Sequence, residues 1–189
     1  VFDMFFRPKG QINYAVAAGL QQVVEYIQDI NFTPDDIGYL RSLNTFDEEF
    51  LQYLTTFKFT GDLYAVREGE IVFAMEPIVI VKAPLIEAQF VETALLCMIN
   101  HQTLIATKAD RMTSAAGEGT VVEFGLRRAQ GPDAGIYGAR ASMIGGAIGT
   151  SNVLAGKMFG IPVKGTHAHS WVMSFPDELN AFNAFADMY

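Results

Sequence analysis

Apolar and polar positions alternate along this chain in rhythms that predict a series of short elements. Val1 to Phe6 is apolar but for one residue and predicts a strand. Arg7-Pro8-Lys9-Gly10 ends it, because proline lacks an amide donor and glycine takes turn conformations cheaply. From Ala17 to Asp29, Leu20, Val23, Val24 and Ile27 recur at helical spacing, so one face of that helix is core. Thr33-Pro34-Asp35-Asp36 has the form of a helix start: a hydroxyl cap, proline at the first helical position, and acids over the positive end of the dipole. That helix runs to about Ser42, and Asp47-Glu48-Glu49 opens another that turns Phe50, Leu51 and Leu54 inward.

Between Asp62 and Ala83 the rhythm shortens to strands at Leu63–Val66, Ile71–Phe73 and Ile78–Val81, with a turn at Arg67 to Gly69, predicting one small antiparallel sheet. Leu85 to about Met112 is a long helix, apolar from Phe90 to Ile99 and more polar toward its end, and it is expected to cross between two domains. Past Ala115-Ala116-Gly117-Glu118-Gly119, short strands alternate with glycine-rich turns and helices. Val121–Phe124 is a strand, Asp133–Gly145 a helix, and Ile148 a brief strand. A helix capped by Ser151 runs to Phe159, Ile161–Lys164 is a strand, and Pro176 opens the last helix. This alternation is that of parallel βα units, which place ligands at the C-terminal ends of their strands. The expectation is an α/β fold with an N-terminal α+β domain over residues 1–113, carrying the small sheet and the crossover helix. Residues 114–189 then begin an irregular α/β barrel. Val1 opens in mid-strand and Tyr189 falls in mid-helix, so the chain reads as a fragment of a longer protein. It has no internal repeat and no low-complexity tract.

Composition adds limits to this picture. With 50% hydrophobic and 18% charged residues, the chain is far from a disordered profile. A net charge of -8 argues against binding nucleic acid through a broad basic surface. The lone Cys97 lies in an apolar run, so no internal disulfide forms; a buried, inert thiol in a reducing compartment is expected, and with it a cytoplasmic location. No segment reaches the roughly 20 uninterrupted apolar residues that span a bilayer, and no membrane partner is expected.

The charge is distributed unevenly. Residues 124–170 set Arg127, Arg128, Arg140, Lys157 and Lys164 against the single acid Asp133. Either these cations scatter over solvated helix faces, or they focus an anionic small ligand in a positive pocket. Arg127 and Arg128 directly follow a strand, where arginine's planar fork would meet a carboxylate or phosphate bidentately. Phe124 offers an aromatic face for a flat ring, or ordinary core. Gly149-Thr150-Ser151-Asn152 presents amides and hydroxyls at a helix start, a layout suited to anions. In Gly165-Thr166-His167-Ala168-His169-Ser170, a continuing strand would place His167 and His169 on one face, as in a metal-dependent barrel hydrolase. The other readings are a histidine nucleophile toward phosphate and histidines hydrogen-bonded within a turn.

Three runs taken together, Glu123-Phe124-Gly125-Leu126-Arg127-Arg128-Ala129-Gln130-Gly131, Gly149-Thr150-Ser151-Asn152-Val153-Leu154-Ala155-Gly156 and Gly165-Thr166-His167-Ala168-His169-Ser170-Trp171, resemble nicotinate phosphoribosyltransferase in order and spacing. Phe5-Phe6-Arg7, Gly19-Leu20 and Asn100 to Thr107 extend the resemblance over essentially the whole chain. The resemblance implies transfer of a phosphoribosyl group from phosphoribosyl pyrophosphate to nicotinate in NAD salvage. It also implies Mg²⁺ accompanying phosphoribosyl pyrophosphate and ATP, ATP hydrolysis coupled through a phosphohistidine, and a homodimer with shared active sites.

By position, the resemblance puts Phe124 on the pyridine ring, Arg127 by the nicotinate carboxylate or ribose phosphate, and Arg7 near the pyrophosphate. Ser151 stands where the related nicotinamide enzyme has an aspartate, and serine avoids setting a negative charge against the nicotinate carboxylate. His169 matches the phosphorylated histidine, and Thr166 belongs to the same substrate-binding run. A quinolinate phosphoribosyltransferase, which needs no ATP, is disfavoured by the Thr166-His167-Ala168-His169-Ser170 run. The family's N-terminal tyrosine motif and later barrel strands are absent, so these residues by themselves are expected to be inactive.

Overall fold

The computed structural model describes residues 1–7, 10 and 13–188. Pro8 and Lys9, half of the expected strand break, and Tyr189, the expected mid-helix end, lie outside the described residues. Along the chain run β1 (Phe2–Met4), β2 (Tyr14–Val16), α1 (Leu20–Asp29), α2 (Pro34–Ser42), α3 (Glu48–Thr55), β3 (Asp62–Ala65), β4 (Ile71–Phe73), β5 (Val79–Lys82) and α4 (Leu85–Ala116). A 3-10 turn (Leu126–Arg128), α5 (Pro132–Ile144), α6 (Val153–Phe159), α7 (His169–Met173) and α8 (Glu178–Ala186) follow.

Local chemistry sets the helix starts. The Thr33 hydroxyl accepts from the Asp36 amide while the Asp36 carboxylate accepts from the Thr33 amide, a reciprocal capping box at α2. Asp47 caps α3 through the Phe50 amide. As expected, α3 turns Leu51 and Leu54 inward, and with Ile37 they form a core cluster bordered by Phe32, Phe50 and Phe90.

The expected single antiparallel sheet forms as two. β1, β5 and β3 make one antiparallel sheet in that order, with Asp3 and Tyr64 both opposite Ile80. β4 leaves it to pair with β2, Ala15 opposite Val72. The physical reason is β2, a three-residue strand too short to announce itself by alternation, which offers β4 an edge. Ala17 and the turn at Gly69 and Glu70 exchange further backbone hydrogen bonds of 2.8 and 2.9 Å beside that pair. Val72, Val79 and Val81 meet Val23, Val91, Leu95 and Ile99 in the main core of this half.

The polar second half of α4 faces inward. Thr107 and Thr103 accept from the backbone amides of Val16 and Ala18 at 2.9 and 3.2 Å, satisfying donors along β2 that no strand reaches. Cys97, expected to be buried, is exposed in the first half of the same helix.

Beyond α4, the three expected strands are reduced to two parallel bridges, Glu123 with Thr150 and Thr150 with Val163. Backbone hydrogen bonds of 2.9 to 3.0 Å nevertheless align residues 121–123, 148–151 and 162–164 side by side, with α5 and α6 as the connections. This is the start of a parallel βα array and agrees with the expected α/β class. α5 lies close on α4 because its contact residues are small: a Cβ at Gly145 would overlap Ala106 and Ala109, and Ala139 and Ala141 are buried. Two expectations fail at the C-terminal end. α7 was not foreseen, and the last helix begins at Glu178 under an Asp177 cap rather than at Pro176.

Candidate functional site

The candidate site is built on the C-terminal ends of the three aligned segments. Because Glu123 pairs with Thr150 and Thr150 with Val163, the loops that leave those residues start side by side. They carry Phe124 and Arg127, then Ser151, then Thr166 and His169.

In the first loop, Gly125 enters the 3-10 turn that presents Arg127 and Arg128. Both guanidiniums are exposed and, among the described residues, neither has a carboxylate partner. Phe124 is 47% exposed, so its ring is not core, which removes the blander of its two readings. Leu126 tucks against Gly135, where a Cβ would collide with it, and so ties the loop to α5. α5 is held in turn by α4 and by the N-terminal half. His101 Nε2 lies 3.1 Å from the Ala134 carbonyl, and since a carbonyl only accepts, that nitrogen carries a proton. Arg140 meets Glu68 through two hydrogen bonds of 2.9 and 2.6 Å and donates to Gln102 and Gln21 as well.

Glu68 also accepts from the Gly19 amide at 2.6 Å. Burial alone would raise its carboxyl. The Arg140 hydrogen bonds, the Gly19 amide, the Arg140 charge and the Leu20 amide outweigh that and hold it below the usual glutamate range. The expected five-cation island is therefore corrected. Arg140 is a neutralised structural contact, and the solvated cations nearest the strand ends are Arg127, Arg128 and Lys164.

The second loop differs from expectation in how its polar groups are used. Thr150, fully buried, donates its hydroxyl to Glu123 Oε2 at 2.6 Å and accepts from the Asn152 amide at 3.0 Å. Asn152, not Ser151, caps α6 by accepting from the Ala155 amide. Ser151 is half-buried, and its hydroxyl stays uncommitted. Of the four residues from Gly149 to Asn152, Ser151 keeps its hydroxyl free at a half-buried position, while Asn152 Nδ2 is buried without a hydrogen-bond partner.

In the third loop the strand does not continue past Lys164, so His167 and His169 do not share a strand face. The His167 ring packs against Phe182 and Phe185, with centroids 5.4 and 5.3 Å away. His169 is exposed as the first residue of α7, and Thr166 is exposed before it. Among the described residues no group of three or more histidine, cysteine or acidic side chains could hold a metal ion, and the metal-hydrolase reading loses its geometric basis.

Among the described residues, Arg7 makes no hydrogen bond or ion pair with these loops. It lines a groove of about 1140 Å³ between the β1 end and α4, together with Lys108 and Arg111. Phe124, Arg127, Ser151, Thr166 and His169 take no part in that groove.

Sequence reasoning passed over Glu123 and Thr150 as site-building residues. A carboxylate ending a strand beside a Gly-Thr-Ser-Asn run was the available signal, but nothing local in the sequence says that the two side chains meet. Among the described residues, no helix is long and apolar enough to cross a membrane.

Comparison with known proteins identifies the family. Residues 1–100 match the family model described as the nicotinate phosphoribosyltransferase N-terminal domain, and residues 120–187 match that of the nicotinate phosphoribosyltransferase family. The chain is 50% identical over its whole length to a nicotinate phosphoribosyltransferase of Bacillus subtilis, spanning 39% of that protein. It is 49% identical over its whole length to one of Mycobacterium tuberculosis, spanning 41% of it. Among solved structures, human nicotinic acid phosphoribosyltransferase superposes with a TM-score of 0.83 at 38% identity, over 92% of this chain and 36% of that one. The chain thus spans about two-fifths of the length of these relatives.

Proposed function

The chain belongs to the nicotinate phosphoribosyltransferase family, and from that premise we propose that the protein carrying it joins nicotinate to phosphoribosyl pyrophosphate, forming nicotinate mononucleotide and releasing pyrophosphate. In this reaction the pyridine nitrogen bonds to the sugar's anomeric carbon as the pyrophosphate oxygen leaves with the bonding electrons. The observation that carries the reading is the adjacency of three motif-bearing strand ends, with an exposed ring, an unpaired guanidinium and a free hydroxyl on neighbouring loops.

Phe124 stacks on the pyridine ring, and Arg127 meets the carboxylate or the ribose phosphate. Ser151 admits the acid because it sets no negative charge against it. Thr166 lies in the loop that binds substrate phosphate. His169 takes the terminal phosphoryl group of ATP and later yields it to water, coupling hydrolysis to the transfer. Its exposure at the start of α7 leaves it open to a nucleotide. The described residues do not fit a protein-held Mg²⁺, so the ion belongs with the substrate phosphates and no step is assigned to it. Arg7, in its separate groove, serves the pyrophosphate of a second copy's site in a homodimer. The place of work is the cytoplasm, in NAD salvage.

The test is to offer the intact gene product nicotinate, nicotinamide and quinolinate side by side, with and without ATP. Turnover of nicotinate, stimulated by ATP, is expected, with acid-labile phosphate on wild-type protein and none on His169→Ala. Arg127→Ala should raise KM for nicotinate by about 10- to 100-fold, the loss of one charge-assisted contact. Preference for quinolinate, or full ATP coupling in His169→Ala, would overturn the corresponding part.

A further inference from the structure

We propose that Glu123 is a positioning residue: with Thr150 it sets the spacing between Phe124 and Ser151, and so tunes the choice of acid over amide. The inference rests on the nicotinate reading of these loops.

Glu123 takes part in both loops at once. Its backbone amide donates to the Gly149 carbonyl at 2.9 Å and its carbonyl accepts from the Ser151 amide at 3.0 Å. Its side chain then curls over the end of its own strand. One carboxylate oxygen accepts from the Gly125 amide, immediately after Phe124. The other accepts from the Thr150 hydroxyl, immediately before Ser151. Thr150, having given its proton to the carboxylate, uses a lone pair to accept from the Asn152 amide, so Ser151 is bracketed on both sides as Phe124 is.

A single side chain therefore joins the aromatic ring's loop to the hydroxyl's loop. The backbone ladder between them is short, each of these strands being only a bridge in length, and the side chain adds a second tie to it. Charge points the same way. A loose carboxylate beside a site for nicotinate would repel it, whereas this one is held at both oxygens, by the Gly125 amide and the Thr150 hydroxyl. Gly125 is part of the device, since a Cβ there would stand 3.0 Å from the Glu123 carboxylate and push on it.

The side chains can be altered with little change of shape. Thr150→Val removes the hydroxyl at nearly constant volume, and Thr150→Ser keeps it. Glu123→Gln keeps the length but turns an amide NH₂ toward one of the two donors. In the intact gene product we expect Thr150→Val and Glu123→Gln to raise KM for nicotinate about tenfold, with kcat changed much less. The nicotinate-to-nicotinamide ratio of kcat/KM should fall with it. Thr150→Ser should restore both, and the double variant should be no worse than Glu123→Gln alone, since the two share one interaction.

Thermal midpoints measured on the same samples separate positioning from packing. Unchanged KM and ratio in both single variants would overturn the proposal. So would a Thr150→Ser protein as impaired as Thr150→Val, or unfolding of both Thr150→Val and Glu123→Gln, because the pair would then be holding the fold and not the site. Wild-type protein with no turnover of nicotinate would instead sink the reading of the site itself.

Discussion

At the scale of single residues, conformation and contact decide more than residue type. Gly19 opens α1 in the left-handed region, φ 104°, with its amide on Glu68; a Cβ there would lie 2.8 Å from the Met98 carbonyl oxygen. Gly160 is also left-handed, φ 67°, but faces open space. Alanine at Gly160 should therefore cost only the backbone strain, about 1 kcal/mol. Gly19→Ala should cost about 1–3 kcal/mol more, because α1 and α4 must part to admit the methyl. Denaturant midpoints of the two variants measure the difference, and equal losses would show that the α1–α4 contact yields freely. The caps at Thr33 and Asp47 were legible in the sequence because a cap is decided within four residues. The α6 cap was misplaced by one residue, on Ser151 rather than Asn152. What decides between them is the Thr150 hydroxyl, whose partner Glu123 is 27 residues away in sequence.

Elements were predicted well where their rhythm is internal and poorly where a partner defines them. α2, α3, α4 and α5 came close to their observed ends, since apolar spacing, caps and glycines fix them locally. The partner of β4 could not be read, because β2 is three residues long and its pairing is settled by the turn at Gly69 and by Thr103 and Thr107 on α4. The long-range tie of Glu68 to Arg140 was invisible for the same reason. Two charges 72 residues apart carry no mutual signal in one sequence. That tie steadies α5, which in turn seats the Phe124 loop through Leu126 and Gly135. Its stabilising effect should depend on pH with a definite sign. The folded Glu68 carboxyl lies below its unfolded value, so its contribution is complete above the unfolded value of about 4.3 and is lost as pH falls through the folded one. Glu68→Gln should be less stable than wild type by about 1 kcal/mol at pH 7, a modest figure because solvent still reaches the pair. The gap should narrow as pH falls below the unfolded value, and denaturant unfolding at pH 7 and in acid measures it. A gap that widened in acid would reverse the assigned sign.

At the scale of the whole molecule, the separation of Arg7 from the strand-end loops becomes an argument about assembly. The loops bearing Phe124, Ser151 and His169 start from neighbouring strand ends, while Arg7 opens onto a different groove beside Lys108 and Arg111. If the reaction needs both, the proposed homodimer supplies Arg7 from a second copy. A closed two-fold dimer does this symmetrically, giving two composite sites. Arg7→Ala and Arg127→Ala proteins should then each be impaired alone. Mixed by co-expression or by unfolding and refolding together, half of the dimers combine one of each. Every such dimer has one site that carries both substitutions and one that carries neither. Activity should return to about a quarter of wild type, the fraction of intact sites in a statistical mixture. Were Arg7 and Arg127 to serve the same copy's site, each site in the mixed dimer would keep one defect, and mixing would restore nothing. The two arrangements therefore differ in an assay that needs no knowledge of how the dimer is packed, only of which residues meet.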